Sequence, residues 1–353
     1  MRPVALLPLI ALACTPDQGL TFKKDDPLEI DDGSIKGRVC DPSGRTWLPD
    51  AMAYVNIVGD DGQIFETKIA YSDLDGYWEI ADLPGENEYT VYVQYGPDLL
   101  QTETVWVGSG EDVELEEPDC FDPLALDVAV VTGDYDDFNL VLNEMGFANY
   151  QLIDGLDETV IKDFLSDPAE LARYDIIFFN GGFIEDGVIY DLEDATNAET
   201  AARVENIRAY VEAGGSIYAS DWAYDVVELG WADNVNFVGA DELPNDAQMG
   251  DYEVVNAAIS DAALAEYLGT DRVEIDYDLP VWPPVETVAD NVSVHLTGTV
   301  PYSDGLSDYY LTSVPLLLSF NAGQGKVVFS TFRVARNASQ EMVDTLQYMM
   351  YNL

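Results

Sequence analysis

Basic residues are scarce in this sequence. Its 353 residues include 15 Lys and Arg against 67 Asp and Glu, so the formal net charge at neutral pH is −52. Nucleic-acid binding depends on a cluster of basic side chains that displaces counterions from the phosphates. Attraction to an anionic membrane surface depends on the same charges. The composition therefore excludes nucleic acid and anionic lipid surfaces as partners.

Histidine, cysteine and long apolar runs are also rare. The chain has one histidine, His295, and three cysteines, Cys14, Cys40 and Cys120. A serine nucleophile needs an adjacent base, and His295 is the only histidine that could supply one. No apolar run approaches the roughly 20 residues of a membrane-spanning helix. The sequence therefore predicts no spanning helix.

Apolar residues, by contrast, are plentiful. They make up 48% of the chain, and 11% of the residues are aromatic, which is enough for a large core and is not typical of a disordered acidic chain. The length predicts two domains. The acidic residues are scattered, as on a charged surface. Because like charges repel, we expect salt or divalent cations to stabilise the fold; the acidity indicates either saline surroundings or specific cation sites.

The first residues carry a targeting pattern. A nine-residue apolar run at residues 4–12 follows a positive start, and small residues lead up to Cys14. This pattern resembles a bacterial lipoprotein signal. The resemblance implies that residues 1–13 are a signal peptide and that Cys14 is lipidated, which would anchor the protein to a membrane of the cell envelope. Thr15, where an aspartate would favour the inner membrane, favours the outer membrane; secretion without lipid is the alternative. Residues 14–33 are interpreted as a tether.

The two other cysteines are candidates for a disulfide. With Cys14 lipidated, Cys40 and Cys120 are the remaining thiols, and an exported chain with two thiols can form one bridge. We predict a Cys40–Cys120 disulfide; two unpaired thiols are the alternative.

Residues 34–120 are predicted to form an all-β sandwich of the immunoglobulin-like type. Alternating apolar runs at residues 53–58, 77–80 and 89–93 are separated by turn sequences, a pattern typical of antiparallel strands. Three further motifs occur in the same segment: Gly37-Arg38-Val39 with Gly44, residues 72–78, and Leu83-Pro84-Gly85 with Tyr89. Together these resemble the carboxypeptidase regulatory-like (transthyretin-like) domain. In that family the domain is a structural or adhesive accessory, so the resemblance implies no catalysis.

Two aspartates in this segment could suggest calcium binding. Asp73 and Asp75 alternate before Gly76, as calcium ligands do in some loops. An EF-hand loop needs further oxygen ligands between two helices, whereas Tyr77 begins a strand here. We interpret the segment as a hairpin turn.

Residues 121–125 are interpreted as a linker, and residues 126–353 as a second domain. Apolar runs suited to buried strands alternate here with helical patterns. The strand-like runs are residues 128–132, 174–179, 216–220 and 326–331, and the helical ones are residues 138–146, 198–213 and 339–352. Repeated strand–helix units predict a doubly wound α/β fold with a mainly parallel, flavodoxin-like sheet. Residues from about 230 to 312 are interpreted as an irregular insertion.

Three segments of this domain are distinctive, at residues 174–182, 207–220 and 325–332. They resemble the class I glutamine amidotransferase-like superfamily, including trehalose-utilisation-like proteins. That family uses a cysteine in a glycine-flanked turn after a strand, with a later histidine and glutamate. At the matching positions this chain has Ser220 and Asp221, and Arg333 stands where the histidine is expected. The resemblance therefore implies a degenerate domain without amidotransferase catalysis.

Strand ends provide the predicted binding site. In open α/β sheets, ligands bind beyond the carboxyl ends of the strands. The candidate residues at these ends are Asp134, Asp136, Asn180, Ser220, Asp221, Trp222 and Arg333. Three of them, Asp134, Asp136 and Asp221, could hold Ca²⁺ or Mg²⁺, because these cations prefer oxygen ligands. Asn180 and Ser220 would then be neutral ligands.

The acidic candidates have structural alternatives. Asp136 or Asp137 could cap the helix that follows. Asp221 could likewise act as a cap, or it could form a salt bridge with Arg333. Neither role requires a ligand.

Two other combinations of these residues are possible. Ser220 with His295 would make a hydrolytic pair, but the alternation of residues 292–296 favours a strand with a structural histidine. Trp222, Trp231 and Trp282 could lie near the strand-end rim, where aromatic rings beside acids can bind sugars. Core packing is the alternative for each ring.

The sequence therefore predicts a cell-envelope lipoprotein. A β-sandwich spacer would present a non-catalytic amidotransferase-like domain that binds a protein partner, a glycan or a divalent cation. The alternatives are a metal-assisted hydrolase acting at the Asp134 and Asp221 rim, and a purely structural envelope protein.

Overall fold

The computed structural model describes nine stretches of the chain. They are residues 30–41, 47–59, 62–95, 99–115, 119–122, 126–147, 149–239, 243–333 and 339–351. The predicted signal peptide, the lipidation site Cys14 and most of the predicted tether lie outside the described residues. Among the helices within these stretches, none is both long enough and apolar enough to cross a membrane.

The N-terminal part of the chain forms two sheets. Its strands are β1 (Gly33–Cys40), β2 (Met52–Val58), β3 (Ile64–Tyr71), β4 (Tyr77–Leu83), β5 (Asn87–Tyr95), β6 (Leu99–Val107), β7 (Asp112–Glu114) and β8 (Asp119–Cys120). One sheet has the order β4-β1-β7, with β8 also paired to β1, and the other has the order β3-β2-β5-β6. Alternate side chains of both sheets point inward. As a result Ile35, Trp78, Val55 and Val91 belong to one buried apolar core.

The predicted disulfide is confirmed. Cys40 at the end of β1 is bonded to Cys120 in β8, with the two Cα atoms 4.3 Å apart. The two cysteines are also directly opposite each other in the parallel pairing of β1 with β8. The bridge therefore fastens the last strand of this part of the chain to the first.

The segment containing Asp73 is a turn, but it does not close a hairpin. The Asp73 carboxylate accepts backbone N–H bonds from Asp75 (3.0 Å) and Tyr77 (2.9 Å), which occupies one of its oxygens within the turn. The flanking strands β3 and β4 belong to different sheets. The hairpin interpretation is therefore wrong, because this turn carries the chain from one sheet to the other.

The C-terminal part of the chain mixes strands and helices. Its strands are β9 (Val128–Val131), β10 (Tyr150–Ile153), β11 (Ile176–Phe179), β12 (Ser216–Ser220), β13 (Val235–Phe237), β14 (Met249–Gly250), β15 (Glu253–Ile259), β16 (Arg272–Tyr277), β17 (Val285–Val288), β18 (Ser293–Ser303), β19 (Asp308–Ala322) and β20 (Gly325–Ser330). Its helices are α1 (Phe138–Glu144), α2 (Glu158–Ser166), α3 (Pro168–Leu171), α4 (Ala198–Glu212), α5 (Tyr224–Gly230), α6 (Ala262–Leu268) and α7 (Gln340–Tyr351).

The prediction of a doubly wound, mainly parallel fold is wrong. Strands account for 42% of the structure and helices for 22%. The main sheet has ten strands in the order β10-β9-β11-β12-β20-β19-β18-β15-β16, with β14 paired to β18. Four of its pairings are parallel and five are antiparallel. The long strands β18 and β19 continue the sheet in antiparallel fashion beyond β20, so much of the predicted irregular insertion is regular sheet.

Side-chain caps fix where several helices begin. Asp157, Asn197 and Asp261 are the N-cap residues of α2, α4 and α6, and their side-chain oxygens accept backbone N–H groups of the first turn. These groups would otherwise have no partner within the helix.

The main sheet is covered by helices on both faces. One core contains residues of α1, α6 and α7, and the other contains residues of α2, α4 and α5.

The helix α7 also joins the two parts of the chain. The Gln347 side-chain amide donates a buried 2.8 Å hydrogen bond to the carboxylate of Asp41. The rings of Tyr351 and Tyr95 pack edge to face with centroids 5.5 Å apart. Since Asp41 directly follows Cys40, the end of β1 is held both by the disulfide and by α7.

Candidate functional site

The carboxyl ends of four adjacent parallel strands form the candidate site. Phe179 at the end of β11 is in register with Val131 of β9 and with Ala219 of β12, and Ala219 is in register with Phe329 of β20. The residues that follow these strands therefore emerge at the same edge of the sheet. This edge, made by residues 133–137, 180–184, 220–222 and 331–333, is called the strand-end edge below.

Asp136 and Ser220 meet at this edge. The Ser220 hydroxyl donates a 2.7 Å hydrogen bond to Oδ2 of Asp136, and both side chains are buried. The backbone N–H of Gly181 points at the same hydroxyl oxygen at 3.4 Å. The hydroxyl proton of Ser220 is therefore used in a hydrogen bond to the carboxylate of Asp136. The considered pairing of Ser220 with His295 is not made, because His295 bonds to Asp261 and Ser319 instead.

Asp221 occupies the sharp turn after β12. Its φ of 50° lies in the left-handed region that few residues other than glycine adopt. Its side chain is buried; burial raises the pKa of this carboxyl well above its usual range, and the negative charge of Asp136 raises it further. Arg333 opposes this shift only in part. Burial therefore disfavours the charged form of this carboxyl.

Two polar atoms at the edge have no partner among the described residues. They are Oδ1 of Asp221 and Nδ2 of Asn180, both buried. Gly181 lies between them, and a Cβ atom there would come within 3.0 Å of the Asp221 Cβ. The glycine therefore permits a close approach of the two loops. The edge therefore contains one hydrogen-bond acceptor, Oδ1 of Asp221, and one donor, Nδ2 of Asn180, without a partner among the described residues.

Arg333 is paired, but not as the sequence suggested. Two of its nitrogens donate to Oδ1 of Asp278, at 2.6 and 2.9 Å, and a third donates to the backbone oxygen of Tyr135 at 3.0 Å. The considered Asp221–Arg333 salt bridge is thus replaced by an Asp278–Arg333 pair. Sequence reasoning missed Asp278, although it follows the alternating run of β16.

The predicted metal ligands do not come together as a group. Asp134 is exposed at the edge, whereas Asp136 and Asp221 are buried beneath it. Across the described ranges, no three His, Cys, Asp or Glu side chains are grouped so as to hold a metal ion. Helix capping does not explain the aspartates either: Asp137 is the N-cap residue of α1 but makes no side-chain cap bond.

Of the three tryptophans considered, only Trp222 lies partly exposed at the edge. Its indole N–H donates to the side-chain oxygen of Asn245 at 3.2 Å, and its ring packs against Tyr224. Trp231 and Trp282 are buried core residues. The predicted aromatic rim thus contains a single tryptophan.

Buried carboxyl groups accompany α5 below the edge. Glu185, Asp225 and Glu228 are buried. Burial, followed by the charges of Asp225 and Glu228, raises the pKa of Glu185 well above its usual range. Burial also raises the pKa of Asp225 to about 6. Sequence reasoning missed this group, because contacts between residues 40 positions apart leave no local pattern.

Comparisons with known proteins give weak similarities only. No protein family matches the sequence, and no curated protein matches it. Cytoplasmic protein STM3548 from Salmonella typhimurium is 18% identical, with 63% of this chain and 98% of that chain covered and a TM-score of 0.38. Cytoplasmic protein STM1381 from Salmonella typhimurium LT2 is 13% identical, with 64% and 96% covered and a TM-score of 0.40.

A third solved structure, PurLQS from Thermotoga maritima, is 11% identical, with 64% of this chain and 97% of that chain covered and a TM-score of 0.37. Similarity at this level assigns the chain neither to a family nor to an activity.

Proposed function

We propose that the protein is a lipid-anchored cell-envelope protein whose C-terminal part binds a carbohydrate at the strand-end edge, without catalysis at that edge. In this proposal the N-terminal sheets are an accessory spacer, as the transthyretin-like resemblance suggests. The observation that carries the binding role is the partial exposure of Trp222 at this edge, where its indole N–H donates to the side chain of Asn245.

The chemistry of the edge suits a sugar better than a cation. Sugar hydroxyls both donate and accept hydrogen bonds, and their C–H faces pack on aromatic rings. The edge offers the exposed carboxylate of Asp134 and the half-buried Asp278–Arg333 pair, and the side chain of Asn245 is bonded to Trp222. A divalent cation would instead need several converging carboxylates.

The buried position of Asp221 favours binding over catalysis here. In the amidotransferase-like comparison this turn would carry the nucleophile. A buried carboxyl is a poor nucleophile, because burial raises its pKa and so disfavours the charged form, and because the side chain is shielded from substrate atoms.

Substitution of Trp222 tests the binding proposal. We expect Trp222→Ala to weaken binding tenfold or more, because the loss of a central aromatic contact costs about 2 kcal/mol. The measurement is a set of binding titrations of the full chain with chito-, cello- and manno-oligosaccharides and soluble peptidoglycan fragments. Trp106→Ala is the matched control, since Trp106 is exposed on β6 in the other part of the chain. Equal affinities of the two variants, or no binding to any of these sugars, would count against the proposal.

The anchor has a separate test. We expect Cys14→Ser to abolish incorporation of radiolabelled palmitate and to release the protein from the membrane fraction into the soluble fraction, because the lipid is attached through the thiol. Cys40→Ala/Cys120→Ala retains Cys14 and is the control for loss of cysteine; it should still be labelled and remain in the membrane fraction. Membrane association that persists in Cys14→Ser would contradict lipid anchoring.

A further inference from the structure

The only histidine of the chain lies between a carboxylate and a serine. Nδ1 of His295 is 2.7 Å from Oδ2 of Asp261, and Nε2 is 2.8 Å from Oγ of Ser319. The three residues belong to different elements: Asp261 caps α6, His295 is on β18 and Ser319 is on β19. This arrangement, called the Asp261–His295–Ser319 triad below, is separate from the strand-end edge.

A bulge in β18 directs the histidine toward the serine. Val294 pairs with Leu318, and Leu296 pairs with the next residue of β19, Leu317. His295 therefore has no partner residue in β19 and is the extra residue of the bulge. Bulges of this kind change the direction of a side chain and are common beside active sites. A regular strand would leave His295 within the alternating pattern, which is how the sequence was interpreted.

The carboxylate of Asp261 is held on both oxygens. Oδ1 accepts the backbone N–H groups of Ala263 (3.0 Å) and Leu264 (3.3 Å), while Oδ2 faces the histidine. A carboxylate only accepts hydrogen bonds, so Nδ1 of His295 must carry the proton. Burial is the main cause that lowers the pKa of His295, which favours the neutral ring. In a neutral ring protonated at Nδ1, Nε2 is an acceptor, and the Ser319 hydroxyl donates to it.

The triad faces a pocket of about 280 Å³. His295 and Ser319 are 8% and 7% exposed, so both can be reached from this pocket but are shielded from bulk water. Lys326 and Asn321 line the same pocket, and Tyr348 and Met349 of α7 contribute an aromatic ring and a thioether side chain to it. An ammonium group and an amide N–H are both suited to stabilise a negatively charged oxygen.

From this geometry we propose that the Asp261–His295–Ser319 triad hydrolyses short-chain carboxylic esters. Ser319 Oγ forms a bond to the ester carbonyl carbon while its proton moves to Nε2 of His295. The carbon–oxygen bond to the alcohol then breaks, and the alcohol leaves with the proton from Nε2. Water attacks the acyl-serine, gives one proton to Nε2, and the carboxylic acid is released as that proton returns to Ser319. Asp261 orients the ring and stabilises its protonated form throughout.

The pocket size sets the substrate class. A volume of about 280 Å³ lies just below the range of about 300 to 1,000 Å³ that small-molecule sites span, so only a small substrate fits. The Tyr348 ring and Met349 would hold the acyl chain, and Lys326 would lie near the developing oxyanion. We expect acetyl and butyryl esters to be accepted and decanoyl esters to be rejected.

Covalent labelling of the full chain tests this proposal. A fluorophosphonate probe is expected to form one adduct per chain, located on Ser319 by peptide mass spectrometry. We expect Ser319→Ala and His295→Gln to lower the rate of 4-nitrophenyl acetate hydrolysis by about 10³-fold. Ser216→Ala, which removes another buried serine of the same sheet, is the matched control and should retain both labelling and hydrolysis. Labelling elsewhere, or equal hydrolysis in Ser319→Ala, would overturn the proposal.

A second variant separates catalysis from folding. Asp261→Asn keeps a side chain that can cap α6, but its amide can donate to Nδ1 and so favours the wrong ring tautomer. We expect a rate loss of at least about 100-fold with an unchanged melting temperature.

The pH dependence of the rate is a further test of the histidine. Asp261, Lys326 and Tyr348 are the titratable groups that face His295. The wild-type rate should rise with pH to a plateau, with its inflection below the ordinary histidine pKa of about 6.5. A rate without this inflection, or an active Asp261→Asn protein, would contradict a catalytic histidine.

Discussion

Loss of the Cys40–Cys120 disulfide is expected to lower the free energy of unfolding by about 4 kcal/mol. The two cysteines are 80 residues apart in the sequence, so the bond removes a large part of the conformational freedom of the unfolded chain. It also holds the end of β1, where the adjacent Asp41 accepts the hydrogen bond from Gln347 of α7. We therefore expect the junction with the C-terminal part of the chain to be weakened as well.

The measurement is urea-induced unfolding of wild type and of the double variant Cys40→Ala/Cys120→Ala, each with and without a reducing agent. Alanine is preferred to serine because Cys40 is buried and a buried hydroxyl would need a partner. The reducing agent should destabilise the wild type and leave the double variant unchanged. A difference below about 1 kcal/mol between the two oxidised proteins would show that the bridge does not stabilise the fold in this way.

Stability is also expected to fall as the pH rises, through Asp225. Burial raises the pKa of its carboxyl from 3.8 to about 6 in the folded protein. Between these two values the folded state retains a proton that the unfolded state has lost, so the free energy of unfolding decreases with increasing pH. The stabilising contribution is complete below about pH 4 and is lost as the pH passes about 6. A shift of about two pKa units corresponds to about 3 kcal/mol.

The variant Asp225→Asn tests this expectation. The asparagine can still accept the backbone N–H of Asn245, which lies 3.0 Å from Asp225 Oδ1, and it carries no charge to bury. At pH 8 it should be more stable than wild type by up to about 3 kcal/mol, and this difference should shrink to about half near pH 5. Unfolding should be followed above about pH 5, because the isoelectric point near 4.1 limits solubility below that.

The control for this experiment is Asp233→Asn, which removes the same charge from an exposed position just after α5. It accounts for the general relief of repulsion in a chain with a net charge of −52. Parallel pH profiles for the two asparagine variants would contradict a specific contribution from Asp225.

Local patterns were sufficient to predict several elements. The continuous apolar run of residues 128–132 contains β9, whose residues are all buried, and the helical pattern of residues 198–213 contains α4. A strand buried on both faces and a capped helix are encoded by neighbouring residues, so no long-range information is needed.

The direction of the strands could not be predicted in the same way. The run Arg272–Tyr277 alternates between exposed and buried residues, as β16 does in the structure, and this signal within the predicted insertion was overlooked. β19 pairs antiparallel with β20, and no local pattern in either strand specifies this partner or its direction. A one-sided alternating strand indicates an antiparallel edge region, whereas the buried runs of β11 and β12 suggest a parallel centre.

The candidate site was predictable in outline but not in its contacts. Strand ends placed Asp136 and Ser220 at one edge, and the structure joins them by a hydrogen bond. The partners of Arg333 and His295 were not predictable, because Asp278 and Ser319 are brought there by the packing of distant strands. In the second case a single bulge, which has no recognisable sequence signature, decides the direction of the imidazole.

The most direct test of the proposed function is hydrogen–deuterium exchange of the full chain with and without bound carbohydrate. The ligand should be whichever chito-, cello- or manno-oligosaccharide or peptidoglycan fragment binds tightest in the titrations. Binding at the strand-end edge predicts slower exchange in peptides that cover residues 133–137, 180–184 and 220–224, with no change in the N-terminal sheets. Protection confined to the N-terminal sheets, or to the pocket beside His295, would contradict binding at this edge.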